Sequence, residues 1–217
     1  MATRLFLFAA CAALFSACAA DEPRKPKMPA HGSFSAQPAL IKHVRCSVCR
    51  KLAAELDRQS SSFRGDEEEV ERALGRVCDA NYVQGTWLTK IDIVADDATP
   101  SGLRLLSHRG RGKCRAECAT LALACTELLD SMDLDEGLQP ALFRGEGNIA
   151  GRLCREWSTA CDTKQPKAEP ARAETLAAEE WRVLTKAETN VEDLKAQFQG
   201  IAGVANAEIE IIPDSEL

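Results

Sequence analysis

The apolar positions fall into one N-terminal block and then into repeats of helical period. Leu5 to Phe15 is an uninterrupted apolar run behind Arg4, followed by small residues at 16–20 and by Asp21. That order of basic, apolar and small segments reads as an export signal with Ala17 and Ala19 at the cleavage site, and the run is too short for the roughly 20 residues that cross a bilayer. Residues 20–38 are rich in Pro and Lys without a periodic face, and read as a flexible lead-in. Ile41, Val44, Val48, Leu52 and Leu56 then recur at helical spacing until Ser60 to Ser62 and Gly65 end the stripe. Asp66 with Glu69 forms a capping box for a second helix, whose inner face is Val70, Ala73, Leu74 and Val77.

Residues 80–113 break the pattern. Trp87, Ile91, Ile93 and Val94 are aromatic or β-branched, Pro100 and Gly102 interrupt, and Arg109, Arg111 and Lys113 alternate with glycines in a basic loop, so this is an irregular insertion. Helical period returns with Cys118, Leu121, Ala122, Cys125, Leu128, Leu129 and Met132, continues over 134–143, and closes in a last helix carrying Ile149, Leu153, Cys154 and Trp157. After Pro166 and Pro170 an Ala/Glu-rich stretch, 171–199, predicts two helices divided near Thr189 and Asn190; the alternating residues 207–212 predict a short strand. The chain is therefore mainly α. Its boundaries are a signal peptide at 1–19, the lead-in, one helical domain at 39–165 and an acidic helical tail at 166–217.

Charge and cysteines sharpen this picture. Net charge is -6 over 217 residues. Residues 40–165 hold 18 basic and 20 acidic side chains and residues 166–217 hold 5 and 11, so neither part has the basic surface of a nucleic-acid binder or of a cationic membrane-lytic protein. Loss of the signal removes Cys11 and Cys18, although Cys18 also sits in a loose bacterial lipobox context. It leaves Cys46, Cys49, Cys78, Cys114, Cys118, Cys125, Cys154 and Cys161. An even number in an exported chain means disulfides before metal, and none of His31, His43 or His108 stands at ligand spacing from a C-x-x-C. No cofactor or metal is expected.

The spacing of the eight is mirror-symmetric. Twenty-eight residues separate Cys49 from Cys78 and twenty-eight separate Cys125 from Cys154, with a close partner outside each end, Cys46 and Cys161. This layout resembles the saposin B-type family of disulfide-stapled helical hairpins. The resemblance implies Cys46 with Cys161, Cys49 with Cys154, and Cys78 with one of Cys114, Cys118 or Cys125. Two features depart from it, an extra cysteine pair and a long stretch between the middle cysteines; the latter resembles the canopy subgroup, whose members act as co-chaperones in the endoplasmic reticulum. For the extra pair, Cys118 and Cys125 on one helix lie about 10 Å apart, beyond the roughly 7 Å that a disulfide spans. Cys114 with Cys118 is the local alternative and would leave Cys78 with Cys125; the sequence does not decide among these partners.

No catalytic constellation stands out. Cys46 to Cys49 is a C-x-x-C of the kind used in thiol–disulfide exchange, yet both cysteines fall within a helical pattern rather than at a strand-to-helix junction. Glu67, Glu68, Glu69 and Glu71 suit a helix start, and Asp130, Asp133, Asp135 and Glu136 lack the Gly and closing Glu of a calcium loop. Trp87 and Trp181 are candidates to touch a ligand, whereas Trp157 reads as core; Glu216 and Leu217 echo a retention signal but Ser215 replaces its acid. The resemblance implies a non-enzymatic module of the secretory pathway, in the endoplasmic reticulum lumen or outside the cell, with no membrane span in its mature form. Its partner is a protein in the canopy-like reading and a lipid in the ordinary saposin reading; Arg45, Arg50, Lys51, Glu55, Arg72 and Arg76 on the first hairpin favour the protein.

Overall fold

A computed structural model describes residues 36–162, 166–168 and 181–198. The expected signal and most of the lead-in, the expected first tail helix, the strand expected at 207–212 and the C-terminal residues lie outside them. The described chain is mainly α with four disulfides.

Helix α1 (Pro38–Gln59) starts on a proline, whose missing N–H costs nothing in the first turn. Its 22 residues, about 33 Å of helix, bury Leu40, Ile41, Val44, Val48, Leu52 and Leu56 along one side. A 3-10 turn over Ser60–Ser62 and Gly65, at φ 78°, reverse the chain. Helix α2 (Glu67–Arg76) opens on Asp66, whose carboxylate accepts from the Glu69 amide at 3.1 Å, and its three first-turn glutamates sit at the positive end of the helix.

The insertion is more regular than its composition predicts. Val83–Lys90 winds as 3-10 turns that bury Trp87, and the Trp87 indole donates to the Val77 carbonyl at 2.8 Å. An antiparallel hairpin follows, β1 (Ile91–Ala95) and β2 (Leu103–Ser107), with Ile91 opposite Ser107 and Ala95 opposite Leu103. Ile91, Ile93, Leu103 and Leu105 point to the core while Asp92 and Arg104 face outward, the period of two that a one-sided sheet requires. The strands are divided between the helices: β2 lies against α1 and β1 against α3 (Ala116–Asp130). Lys51 on α1 donates to the Ser107 hydroxyl at 2.6 Å, and buried Glu117 on α3 accepts the Ile93 amide at 3.1 Å.

Helix α3 packs along α1 and buries Leu121, Ala124, Cys125 and Leu128. A π-helical turn over Leu134–Leu138, capped by Asp133, runs into α4 (Gln139–Arg144), which packs on α2 and is ended by Gly145 at φ 64°. Helix α5 (Ile149–Gly151) continues as π-helical turns over Arg152–Trp157 and returns to α1. Trp157 packs against the core while its ring carries the Arg152 guanidinium 4.3 Å away.

In the tail, α6 (Lys186–Phe198) corrects the expected division near Thr189 and Asn190, through which the helix runs unbroken. The helix start is set instead at Thr185. The Thr185 amide donates to the Glu188 carboxylate at 2.8 Å and the Glu188 amide donates back to the Thr185 hydroxyl at 3.3 Å, a reciprocal capping box.

Candidate functional site

The eight cysteines are joined as Cys46–Cys161, Cys49–Cys154, Cys78–Cys125 and Cys114–Cys118. The first two clamp α1 to the chain's return after α5, and the third ties the segment just after α2 to α3. Cys46 and Cys49 thus belong to two different bonds, which leaves a C-x-x-C exchange reaction without its disulfide. The fourth bond joins residues only 4 apart, with Cα atoms 5.0 Å apart, where the basic loop enters α3. Cys114 is half-buried and Cys118 is buried.

Beside that bond lies a cleft where the insertion, the start of α3 and the tail meet. It is lined by Thr89 and Ile91 from the insertion, by Lys113, Arg115, Glu117 and Cys118 at the entry to α3, and by Trp181 and Arg182 from the tail. The glycines of the basic loop let the tail approach. A Cβ on Gly112 would stand 2.5 Å from the Trp181 indole nitrogen, and one on Gly110 would stand 2.7 Å from Val183. Gly112 and Val183 form an antiparallel bridge, the Leu184 amide donates to the Arg111 carbonyl at 2.8 Å, and Arg111 pairs with Asp193 on α6. Trp181 stacks on His108 with ring centroids 3.6 Å apart and planes within 10°, and its indole donates to the Thr89 carbonyl at 3.3 Å.

Much of the cleft's charge is spent internally. Arg182 pairs with Glu188, and that guanidinium, with the Thr185 amide and hydroxyl, holds the Glu188 carboxyl down at about 2. Glu117 lies under β1. Lys113 is exposed.

Other residues singled out in the sequence lie elsewhere. Glu68 and Glu69 pair with Arg72 on α2. Glu55 is partly buried, which by itself would raise its carboxyl, but hydrogen bonds from Arg58 and Gln59 and the nearby Lys90 charge bring it below the usual range. Arg45 reaches the Ser131 hydroxyl and Arg76 lies over the Tyr82 ring. Several charges of α1 and α2 therefore serve contacts within the chain rather than crowding a free face. Asp133 caps a helical turn, and no set of three or more His, Cys, Asp or Glu among the described residues is placed to hold a metal ion. No helix among them is long and apolar enough to cross a membrane. The Trp181–His108 stack and the cleft were not read from the sequence; the two glycines of the basic loop and the T-x-x-E at Thr185 were their only local signals.

No protein-family model, curated protein or solved structure matches this chain. What defines it is its own geometry, a mainly α domain with four disulfides, a hairpin laid across two helices, and a tail docked on that insertion.

Proposed function

We propose that the chain is an exported, saposin-like binding module that engages a protein partner in an accessory role of the kind canopy-like proteins perform. Four disulfides fit an oxidising compartment, where such bonds persist. The mirrored cysteine spacing supports the saposin-like reading, with α1 and α2 as one hairpin and α3 and the segments after it as the other.

One observation carries the choice of a protein over a lipid: β2 rests on α1 and β1 on α3, so the insertion spans the seam along which the two halves would separate to expose apolar faces. Opening would strip the Lys51–Ser107 and Glu117–Ile93 hydrogen bonds and expose Leu52, Leu121 and Leu128, all fully buried. The large apolar side chains left exposed among the described residues, Val83, Phe143, Val183 and Leu194, stand on four different segments and make no continuous lipid face.

Flotation of the mature chain with neutral and anionic liposomes at pH 5 and pH 7 tests the reading. It expects the protein to stay unbound in all four conditions. Lipid-bound protein at either pH would replace the protein-partner reading with the lipid one.

A further inference from the structure

Three of the four disulfides bridge distant parts of the fold, with sequence separations of 115, 105 and 47, whereas Cys114–Cys118 spans 4. The stabilisation a crosslink confers grows with the loop it closes, so this bond contributes least to holding the domain together. It also joins no two elements, since Cys114 ends the basic loop and Cys118 sits in the first turn of α3.

Its surroundings suit sulfur chemistry. Lys113 and Arg115 flank Cys114 in the sequence, and both line the cleft. Cys118 lies at the N-terminal end of a 15-residue helix, where the positive end of the helix dipole favours an anion. Arg115, at the N-cap, has no side-chain acceptor with which to satisfy the first-turn amides. The cleft beside Cys118 is lined by Trp181 and by the cations Lys113 and Arg115, with the Glu117 carboxylate buried among them.

We propose that the Cys114–Cys118 disulfide is an exchange site that captures a cysteine thiolate of a partner polypeptide as a mixed disulfide. The assignment deepens the protein-partner reading and rests on it. In the step, the partner's thiolate attacks the Cys114 sulfur, the more exposed of the two. A new sulfur–sulfur bond forms to the partner as the Cys114–Cys118 bond breaks, and its electron pair leaves on Cys118. One disulfide and one thiolate become another disulfide and another thiolate, so no outside oxidant is needed. The helix N-terminus stabilises the departing Cys118 thiolate, and a better-stabilised leaving thiolate leaves faster. Reversal, with Cys118 attacking the Cys114 sulfur, releases the partner.

The test uses the oxidised mature chain and reduced glutathione as the thiol probe, under native conditions, with acid quench, alkylation and peptide mapping by mass spectrometry. The expected result is that Cys114 and Cys118 open at a glutathione concentration at least tenfold below that for any other pair, with glutathione found on Cys114. Changing Lys113→Gln and Arg115→Gln together should slow the opening severalfold. The Cys114→Ser/Cys118→Ser chain should keep its far-ultraviolet spectrum and its other three disulfides. Opening of all four bonds together, opening of this bond last, glutathione on Cys118 instead, or unfolding of the double variant would each overturn the proposal. Because glutathione stands in for the partner, these outcomes are separate from the liposome result.

Discussion

The two outer disulfides predict a specific non-additivity. With Cys78–Cys125 in place, the path from Cys49 to Cys154 runs along two arms, 49 to 78 and 125 to 154, of 29 residues each. A crosslink closing a ring of about 60 residues contributes about 4 kcal/mol through the entropy it removes from the unfolded chain. Once either outer bond exists, the other closes only the small ring made by 46–49 and 154–161, about 10 residues, which contributes about 2.7 kcal/mol. Removing Cys46–Cys161 alone, or Cys49–Cys154 alone, by paired serine substitution should therefore cost about 2.7 kcal/mol, and removing both about 7 kcal/mol. The double removal exceeds the two singles together by about 1.5 kcal/mol, and it would take much of the 5–15 kcal/mol that a domain typically has. Urea denaturation followed by far-ultraviolet circular dichroism, with the remaining disulfides verified by mass, reads all three costs. Strictly additive costs, or a single removal costing as much as the double, would refute the entropic reasoning and assign the effect to contacts in the folded state.

Three further outcomes follow from the same geometry. Replacing Trp181 by Ala removes the stack on His108 and the bond to Thr89, so limited trypsin digestion should cleave at Arg182 and Lys186 at least severalfold faster while the disulfide domain keeps its melting temperature to within a few degrees. Glu188 titrates at about 2 in the folded chain against an ordinary value of 4.5, so its folded value is depressed. Its contribution to the capped start of α6 is then complete above about pH 4.5 and is lost as pH falls toward 2, which amide exchange of α6 residues should report and Glu188→Gln should flatten. Gly85→Ala would place a Cβ 1.9 Å from the Asp79 carbonyl oxygen, a backbone atom that cannot swing away. It should destabilise by more than about 2 kcal/mol in a thermal or urea melt, whereas Gly75→Ala, inside α2 with nothing within 4 Å of its added Cβ, should stabilise by about 0.4–1 kcal/mol.

The helices were legible where the pattern and the caps agreed. The stripe from Ile41 to Leu56 is the buried side of α1, Asp66 with Glu69 marks the start of α2, and Leu121, Cys125 and Leu128 face inward on α3. Residues 80–113 were opaque because their order is tertiary. Val83–Lys90 holds its 3-10 turns by burying Trp87, and β1 alternates cleanly only once β2 and two helices supply its faces. The tail misled for a similar reason. Thr189 and Asn190 are weak helix formers, but with a capping box at Thr185 and Arg111 holding Asp193 they remain inside α6. The cleft has no sequence signal beyond Gly110, Gly112 and the T-x-x-E at Thr185, since His108 and Trp181 come together from positions far apart in the chain.

The clamp between the two ends of the domain has a mechanical side. A chain pulled from Gln37 and Asp162 carries the load through Cys46–Cys161, so everything between those cysteines lies off the line of tension. Under force the span from Gln37 to Asp162 could reach only about 35 Å once the covalent bridge is taut, against about 440 Å with the disulfides reduced, at roughly 3.5 Å per extended residue. A module built in this way transmits a tug from one flanking segment to the other, and only the start of α1 ahead of Cys46 is pulled while everything between Cys46 and Cys161 rides along unstretched.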